Sequence, residues 1–278
     1  MEISQIIENL SKPKDEKLPR ESLLEAIKQK DLIEQFLILS LNDVVNQNSD
    51  PEDMLPMYSL FLLAQFKCKT VYKTIINILN LPYEQIEEIF GYEILFDNIP
   101  DIIISVYDGD YIDLMDIIEN TALHYNNRMI ALSCVCYLTK NNLIDLDETI
   151  ALIKKLALEI INGKDIDDSL ITDTMFDAYF YLNINDNEYL KLIKQLYELD
   201  MIDPWWSGDF DQRIKTGYNK LNHGDLNRIH VIEDTIKEMG WWACFAIPEK
   251  EKPIVKKYCE PKKNINKKKI KRLKIKRR

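Results

Sequence analysis

The sequence predicts an all-α protein: an array of paired helices over residues 1–248, followed by a basic, disordered tail over 249–278. Three observations carry this. Apolar residues recur at helical spacing from Glu2 to about Phe245. Ile150, Ile153, Ala157, Ile160 and Ile161 form one such set, and Leu190, Ile193 and Tyr197 another; each draws a single buried stripe along a helix. No convincing run of alternating apolar and polar residues, bounded by turn dipeptides, interrupts them, so strands are few or absent. Only 7 of 278 residues are glycine, against a usual share of about 7%. That scarcity argues against tight hairpins and glycine-rich phosphate loops, and so against many nucleotide enzymes.

Taken in order, the helix boundaries agree. Asp50-Pro51-Glu52-Asp53 reads as a helix opening, with a cap residue, a proline at the first helical position and acids in the first turn. Pro82 starts a further helix after Leu79-Asn80-Leu81. Asp145-Leu146-Asp147-Glu148 opens another, and Asn162-Gly163 closes it. Pairs fall at about 51–80, 83–107, 110–139, 145–182 and 186–216, near the ~35–45-residue period of two-helix solenoid repeats. The run from Asn127-Arg128-Met129 to Tyr137-Leu138 resembles the second helix of a HEAT repeat, with an early Arg ahead of Ala131-Leu132 and a spaced Leu. Small residues in such a helix let its neighbours approach closely.

Charge divides the chain near residue 250. Residues 251–278 hold 14 Lys+Arg and 2 acids, while residues 1–250 hold 22 basic and 44 acidic residues. Two prolines and dense like charge disfavour an isolated helix before Lys262. Beyond Asn264, a thin apolar pattern of Ile265, Ile270, Leu273 and Ile275 could turn helical on an acidic partner. Lys267, Lys268, Lys269, Lys271, Arg272, Lys274, Lys276, Arg277 and Arg278 fill nine of the last twelve positions. Lysines and arginines at this density displace counterions from a polyanion, nucleic acid foremost. Tyr258 is the tail's one aromatic residue, so base stacking is not expected and binding is read as sequence-independent. The same run reads as a nuclear localisation signal, as a docking segment for an anionic membrane, or as a solubilising tail that folds back on the acidic body.

Elsewhere the residues that could carry chemistry have a plainer reading beside the functional one. Asp203-Pro204-Trp205-Trp206-Ser207-Gly208 is placed on a loop, and Trp241-Trp242 follows a helix end at Gly240. The four tryptophans are candidate anchors for a protein partner, or covers for the open apolar end of an array. Acids at Asp108, Asp110, Asp113 and Asp116, and at Asp165, Asp167 and Asp168, read as solvated faces and caps in an acidic body. His223 and His230 would share a helix face only without Gly224 between them. Cys134 and Cys136 point apart on a helix and belong in the core. No metalloprotease motif, nucleophile elbow, phosphate loop or dinucleotide fingerprint occurs. Accordingly no catalytic residue, metal or cofactor is expected, although a site assembled from scattered residues would leave no motif.

Several segments together carry a resemblance. They are Phe90-Gly91-Tyr92-Glu93-Ile94-Leu95-Phe96-Asp97-Asn98-Ile99-Pro100, Ser105-Val106-Tyr107-Asp108-Gly109-Asp110, the Arg128 to Leu132 helix, and Asp234-Thr235-Ile236-Lys237-Glu238-Met239-Gly240-Trp241-Trp242-Ala243-Cys244-Phe245. In order and spacing they resemble a bacterial family catalogued as domain of unknown function 1186, over roughly residues 20–245. The resemblance implies an all-helical, HEAT-like protein and supplies no catalytic residues. Some relatives end in a SecA-type zinc motif of clustered cysteines. Here Cys259 stands alone before Glu260-Pro261-Lys262-Lys263, and one thiolate does not make a zinc site.

The expected function is that of a noncatalytic interaction protein, its array binding a protein and its tail a polyanion; its oligomeric state is left open. The alternatives are a bacterial effector addressed to a host nucleus and an enzyme of unrecognised type. The start of the chain has no signal-like apolar core, and no apolar run nears the ~20 residues of a membrane span. Five irregularly spaced cysteines suit reduced thiols. A bacterial cytoplasm is therefore the expected location, with the host-cell nucleus as alternative.

Overall fold

The computed structural model describes residues 1–12, 17–91, 97–163, 169–217, 226–242 and 245. Among these residues the regular elements are helices and no strand occurs, as the periodicity predicts. The helices are α1 (Ile3–Ser11), α2 (Arg20–Lys28), α3 (Lys30–Val45), α4 (Leu55–Phe66), α5 (Tyr72–Leu79), α6 (Tyr83–Phe90), α7 (Ile99–Val106) and α8 (Ile112–Glu119). They continue with α9 (Tyr125–Lys140), α10 (Leu146–Ile161), α11 (Ser169–Tyr181), α12 (Asn187–Glu198), α13 (Pro204–Ser207), α14 (Phe210–Thr216) and α15 (Thr235–Met239). The fold is all-α and HEAT-like. The helices fall where the sequence spacing puts them, α4 and α5 within 51–80, α6 and α7 within 83–107, α8 and α9 near 110–139, and α10 and α11 within 145–182; of these consecutive helices α8 and α9 pack closely on each other.

Most of these helices stack in two rows. The outer row runs α3, α5, α8, α10, α12, and the inner row runs α4, α7, α9, α11. Composition sorts the helices between them. Outer helices are amphipathic: α5, α8, α10 and α12 bury one stripe each and leave charged residues in water. Surface ion pairs bridge neighbouring outer helices, with Lys155 Nζ 2.7 Å from Glu119 and Lys154 Nζ 3.3 Å from Asp186. The inner helices α4, α7 and α9 are apolar almost all round, and nearly every residue in them is buried.

Asn127 and Arg128, at the start of α9, show why such a helix carries polar residues at all. Asn127 donates to the Leu79 carbonyl at the end of α5 (2.8 Å), and Arg128 Nε donates to the Ile118 carbonyl near the end of α8 (2.8 Å). Helix C-termini leave carbonyls without helical partners, and these two side chains satisfy them where water is excluded. Lys30 serves the last carbonyl of α4 and Lys140 that of α11 in the same way.

The boundary residues behave as predicted at three places and differently at a fourth. Asp145 accepts from the Asp147 amide (2.8 Å), Pro82 precedes α6, and Gly163 takes φ +66° after α10. Asp50 does not open a helix. It accepts from the Glu52 amide in a turn, and Asp53 repeats the device with the Leu55 amide, so α4 begins at Leu55 with Pro56 in its first turn. Two Asx-type turns in succession outcompeted the single cap.

The chain does not stop at the last outer helix. Residues 203–217 and 226–242 return along the inner row in reverse order. α14 lies on α11, the turn Leu226–Arg228 on α11 and α9, residues 229–234 pass α7, and α15 packs on α4 and α2. The inner row is thus covered on both sides, which explains its all-round apolarity. Residues 1–246 form one compact unit.

Candidate partner-binding surface along the inner row

The returning stretch is held by polar groups that the inner helices direct at it. Asp173 and Asp177, one turn apart on α11, are both buried and both face Arg213 of α14. Arg213 Nη2 lies 2.5 Å from Asp177 and Nη1 lies 3.7 Å from Asp173, with the guanidinium over the Phe176 ring at 4.4 Å. The Ser207 hydroxyl donates to Asp173 as well. Farther along, the passage across α7 is main-chain recognition. The His230 amide donates to Asp101 Oδ1 (2.8 Å) and the Ile232 amide to the Ser105 hydroxyl (2.8 Å). Lys67 Nζ donates to the Ile232 carbonyl. The Thr235 amide reaches Gln65 and its hydroxyl donates to the Phe61 carbonyl, both at 2.9 Å.

Around His230 the charges converge. Its Nδ1 lies 2.9 Å from the Arg228 carbonyl and 3.4 Å from Asp101 Oδ2, and its Nε2 lies 3.1 Å from Glu238. Oxygen acceptors at both nitrogens suit an imidazolium. Burial depresses the His230 pKa, but the Arg228 carbonyl, Asp101 and Glu238 outweigh it, and the net shift is upward. Asp101 is only 4% exposed. Burial pushes its pKa up to about 7, against the opposing pull of the His230 amide and ring, with Glu238 and Asp97 adding to the rise. A cleft of about 100 Å³ opens beside the cluster, walled by Asp97, Asn98, Arg228 and Trp241. Both ring nitrogens are engaged, and the Ser133 hydroxyl on the cleft wall is turned to the Met129 carbonyl (2.9 Å). The arrangement works as an electrostatic clamp and offers no activated nucleophile.

The predicted residues distribute as follows. Trp205 sits in the one-turn helix α13 and is 79% exposed; Trp241 is 70% exposed. Trp242 packs edge-on against Phe61 at 5.3 Å and stacks with Phe245, covering the end of α4. The Trp206 side chain lies outside the described residues. So do Asp165, Asp167, Asp168, His223, Cys244, Cys259 and all nine predicted tail residues, Lys267 to Arg278. Asp110 and Asp113 pair with Lys73 at 2.8 and 2.6 Å, and Asp108 caps the turn before α8, as solvated acids do. Cys134 and Cys136 are buried, and burial pushes the Cys136 thiol up to about 12. Among the described residues no cluster is arranged to hold a metal ion, and no helix is long and apolar enough to cross a membrane.

Sequence reasoning missed Asp101, Asp173, Asp177 and Arg213. A signal existed for two of the acids: Asp101 stands in the apolar run Ile99-Pro100-Asp101-Ile102-Ile103-Ile104 and Asp177 between Met175-Phe176 and Ala178-Tyr179, whereas Asp173 is flanked by Thr172 and Thr174. An acid at a core position needs a partner brought to it.

A family model described as "Protein of unknown function (DUF1186)" matches residues 1–246. Nothing matches among the curated proteins or among the solved structures.

Proposed function

The chain belongs to the DUF1186 family, and from that premise we propose that it is a noncatalytic interaction protein with two binding elements. The helical array binds a protein partner, and the basic tail supplies attraction to a polyanion, nucleic acid in the first place. The observation that carries the reading is the charge division: 14 Lys+Arg against 2 acids in residues 251–278, beside a body with twice as many acids as bases. Such a tail provides nonspecific affinity, and selectivity falls to the array. Trp205 and Trp241, large and outward-facing, support a partner contact on the array, since exposed tryptophan is the residue type most enriched in binding hot spots.

Binding of labelled DNA and RNA to the full chain and to residues 1–250 tests the tail. The full chain binds, residues 1–250 do not, and with six to ten phosphate contacts affinity drops roughly 10³–10⁵-fold between about 50 and 200 mM salt. Absence of binding by the full chain even at low salt removes the nucleic-acid element and leaves the array. For the array, Trp205→Ala and Trp241→Ala are compared with wild type in crosslinking to partners from cell extract, where loss of a specific band with either variant is expected. Unchanged bands would exclude those two residues from the contact.

A further inference from the structure

We infer that the face of the inner row formed by α4 and α7 is a receptor groove for an extended polypeptide segment. It is filled in cis by residues 229–235, and a partner segment of the same chemistry can take their place. The required chemistry is a basic residue placed two positions before a branched aliphatic one. This deepens the protein-partner half of the reading above and rests on it.

The geometry is that of a peptide in a binding site. Residues 229–234 lie outside any helix and use alternate amides, those of 230 and 232, to contact Asp101 and Ser105. Those two acceptors are four apart on α7, about 6 Å along a helix axis. Two residues of extended chain advance about 6.8 Å. The helix therefore presents acceptors at nearly the interval at which an extended strand presents donors, whatever its side chains. Lys67 completes the main-chain pattern by donating to the Ile232 carbonyl, and Gln65 accepts from the Thr235 amide.

Side-chain selectivity comes from two positions. Ile232 is fully buried among the inner helices, while Val231 and Glu233 on either side are not. His230 lies against Asp101, with Asp97 on the same cleft wall, so the receptor side contributes two carboxyl groups at that position. An acidic residue there would meet them directly; a lysine, arginine or histidinium would pair with them. The segment is held across α7 by single hydrogen bonds, that of the Ile232 amide buried, by an ion cluster in which His230 is half-exposed while Asp101 is buried, and by the buried Ile232 side chain. In the proposed exchange these contacts pass to the incoming segment, and the helices beneath stay joined by their own packing.

The test uses the full chain with a protease recognition sequence replacing residues 218–225, cleaved after purification, so that residues 226–278 stay in place by their contacts alone. The probe is a fluorescein-labelled peptide of residues 226–242, followed by anisotropy. The labelled peptide is expected to enter the cleaved chain and to be displaced by excess unlabelled peptide. A His230→Lys peptide enters within about threefold of the parent, while His230→Glu and Ile232→Asp peptides each lose tenfold or more, about 1.4 kcal/mol. Three results overturn the inference: no entry into a cleaved chain that keeps its helical circular dichroism, collapse of that signal on cleavage, or equal entry of the Glu and Lys peptides. None of these touches the DNA and RNA experiment, so failure of the groove and failure of the tail are told apart.

Discussion

The two rows of helices and the stretch that returns across them are held by different physics. The rows close over aliphatic and aromatic side chains, most of them fully buried, and are joined to one another by that packing and by side chains such as Asn127 and Arg128 that finish helix ends. The returning stretch, described over residues 203–217 and 226–242, buries a few anchors such as Ile232 and Met239. Otherwise it depends on charged and hydrogen-bonding groups: Arg213 with Asp173 and Asp177, His230 with Asp101 and Glu238, and main-chain donors on Asp101, Ser105 and Gln65. Apolar burial is indifferent to pH and direction, whereas the polar attachment depends on both. Within one fold, then, the rows supply permanence and the return supplies something adjustable.

The strongest way to break that contrast is at Arg213. Arg213→Ala leaves two buried carboxylates facing each other without their cation, and is expected to cost about 3–5 kcal/mol. Urea denaturation measures it. A loss below 1 kcal/mol would mean that α14 is dispensable to α11. Leu132→Ala, in the middle of α9 and fully buried, is expected to cost about 2–5 kcal/mol by the same measurement. Its effect should be the same at pH 6 and pH 8, which marks the rows as the pH-indifferent region.

The adjustable region should respond to pH instead. Burial raises the Asp101 pKa above its ordinary value of 3.8, so as pH climbs from that value the folded state binds more protons than the unfolded and loses stability. His230 acts in the same sense. Its contribution is complete below its ordinary value of 6.5 and is lost as pH rises through its higher folded value. Raising the pH from 6 to 8 takes the proton from Asp101, and a ring that loses its charge as pH rises then faces Asp101, Glu238 and Asp97, with the Arg228 carbonyl unchanged. Hydrogen exchange at the His230 and Ile232 amides, corrected for intrinsic rate, should therefore quicken over this range while amides of α9 do not. His230→Gln should flatten the response. A flat wild-type profile would refute the clamp.

Two smaller effects sharpen the contrast. Ser105→Ala removes one acceptor from the Ile232 amide and should cost about 0.5–1.5 kcal/mol, with the exchange rate of that amide rising most. Lys73→Ala breaks only the exposed pairs with Asp110 and Asp113, and a change under about 1 kcal/mol is expected in thermal melts.

The rows were legible in the sequence because their defining signal is local. A stripe recurring every three or four residues needs no knowledge of the partner helix, and the helices read between 51 and 182 fell close to their observed places, whereas the pair read at 186–216 divides, with α12 in the outer row and α14 lying on α11. The start of α4 misled because Asp50-Pro51 and Asp53 both satisfy the chemistry of a cap, and only the turn between them decides. The return was illegible for the opposite reason. His230 invited comparison with His223, its neighbour in sequence, whereas its partner is Asp101, 129 positions away. In a chain with 46 acids, three buried carboxylates are hidden by the solvated majority. What marks Asp101 and Asp177 is the apolar run on either side.

A helical array ordinarily assembles by contacts between neighbouring repeats, and can grow from one end. Here the Thr235 hydroxyl closes on the Phe61 carbonyl across 174 positions. Contacts of such sequence separation form late, since the loop between them must first be made and ordered. On a ribosome adding about 5–20 residues per second, α4 would wait roughly 9–35 s for the segment that covers it. For that interval every newly made chain presents an apolar face without its cover, so a molecule that recognises this face meets it first during synthesis.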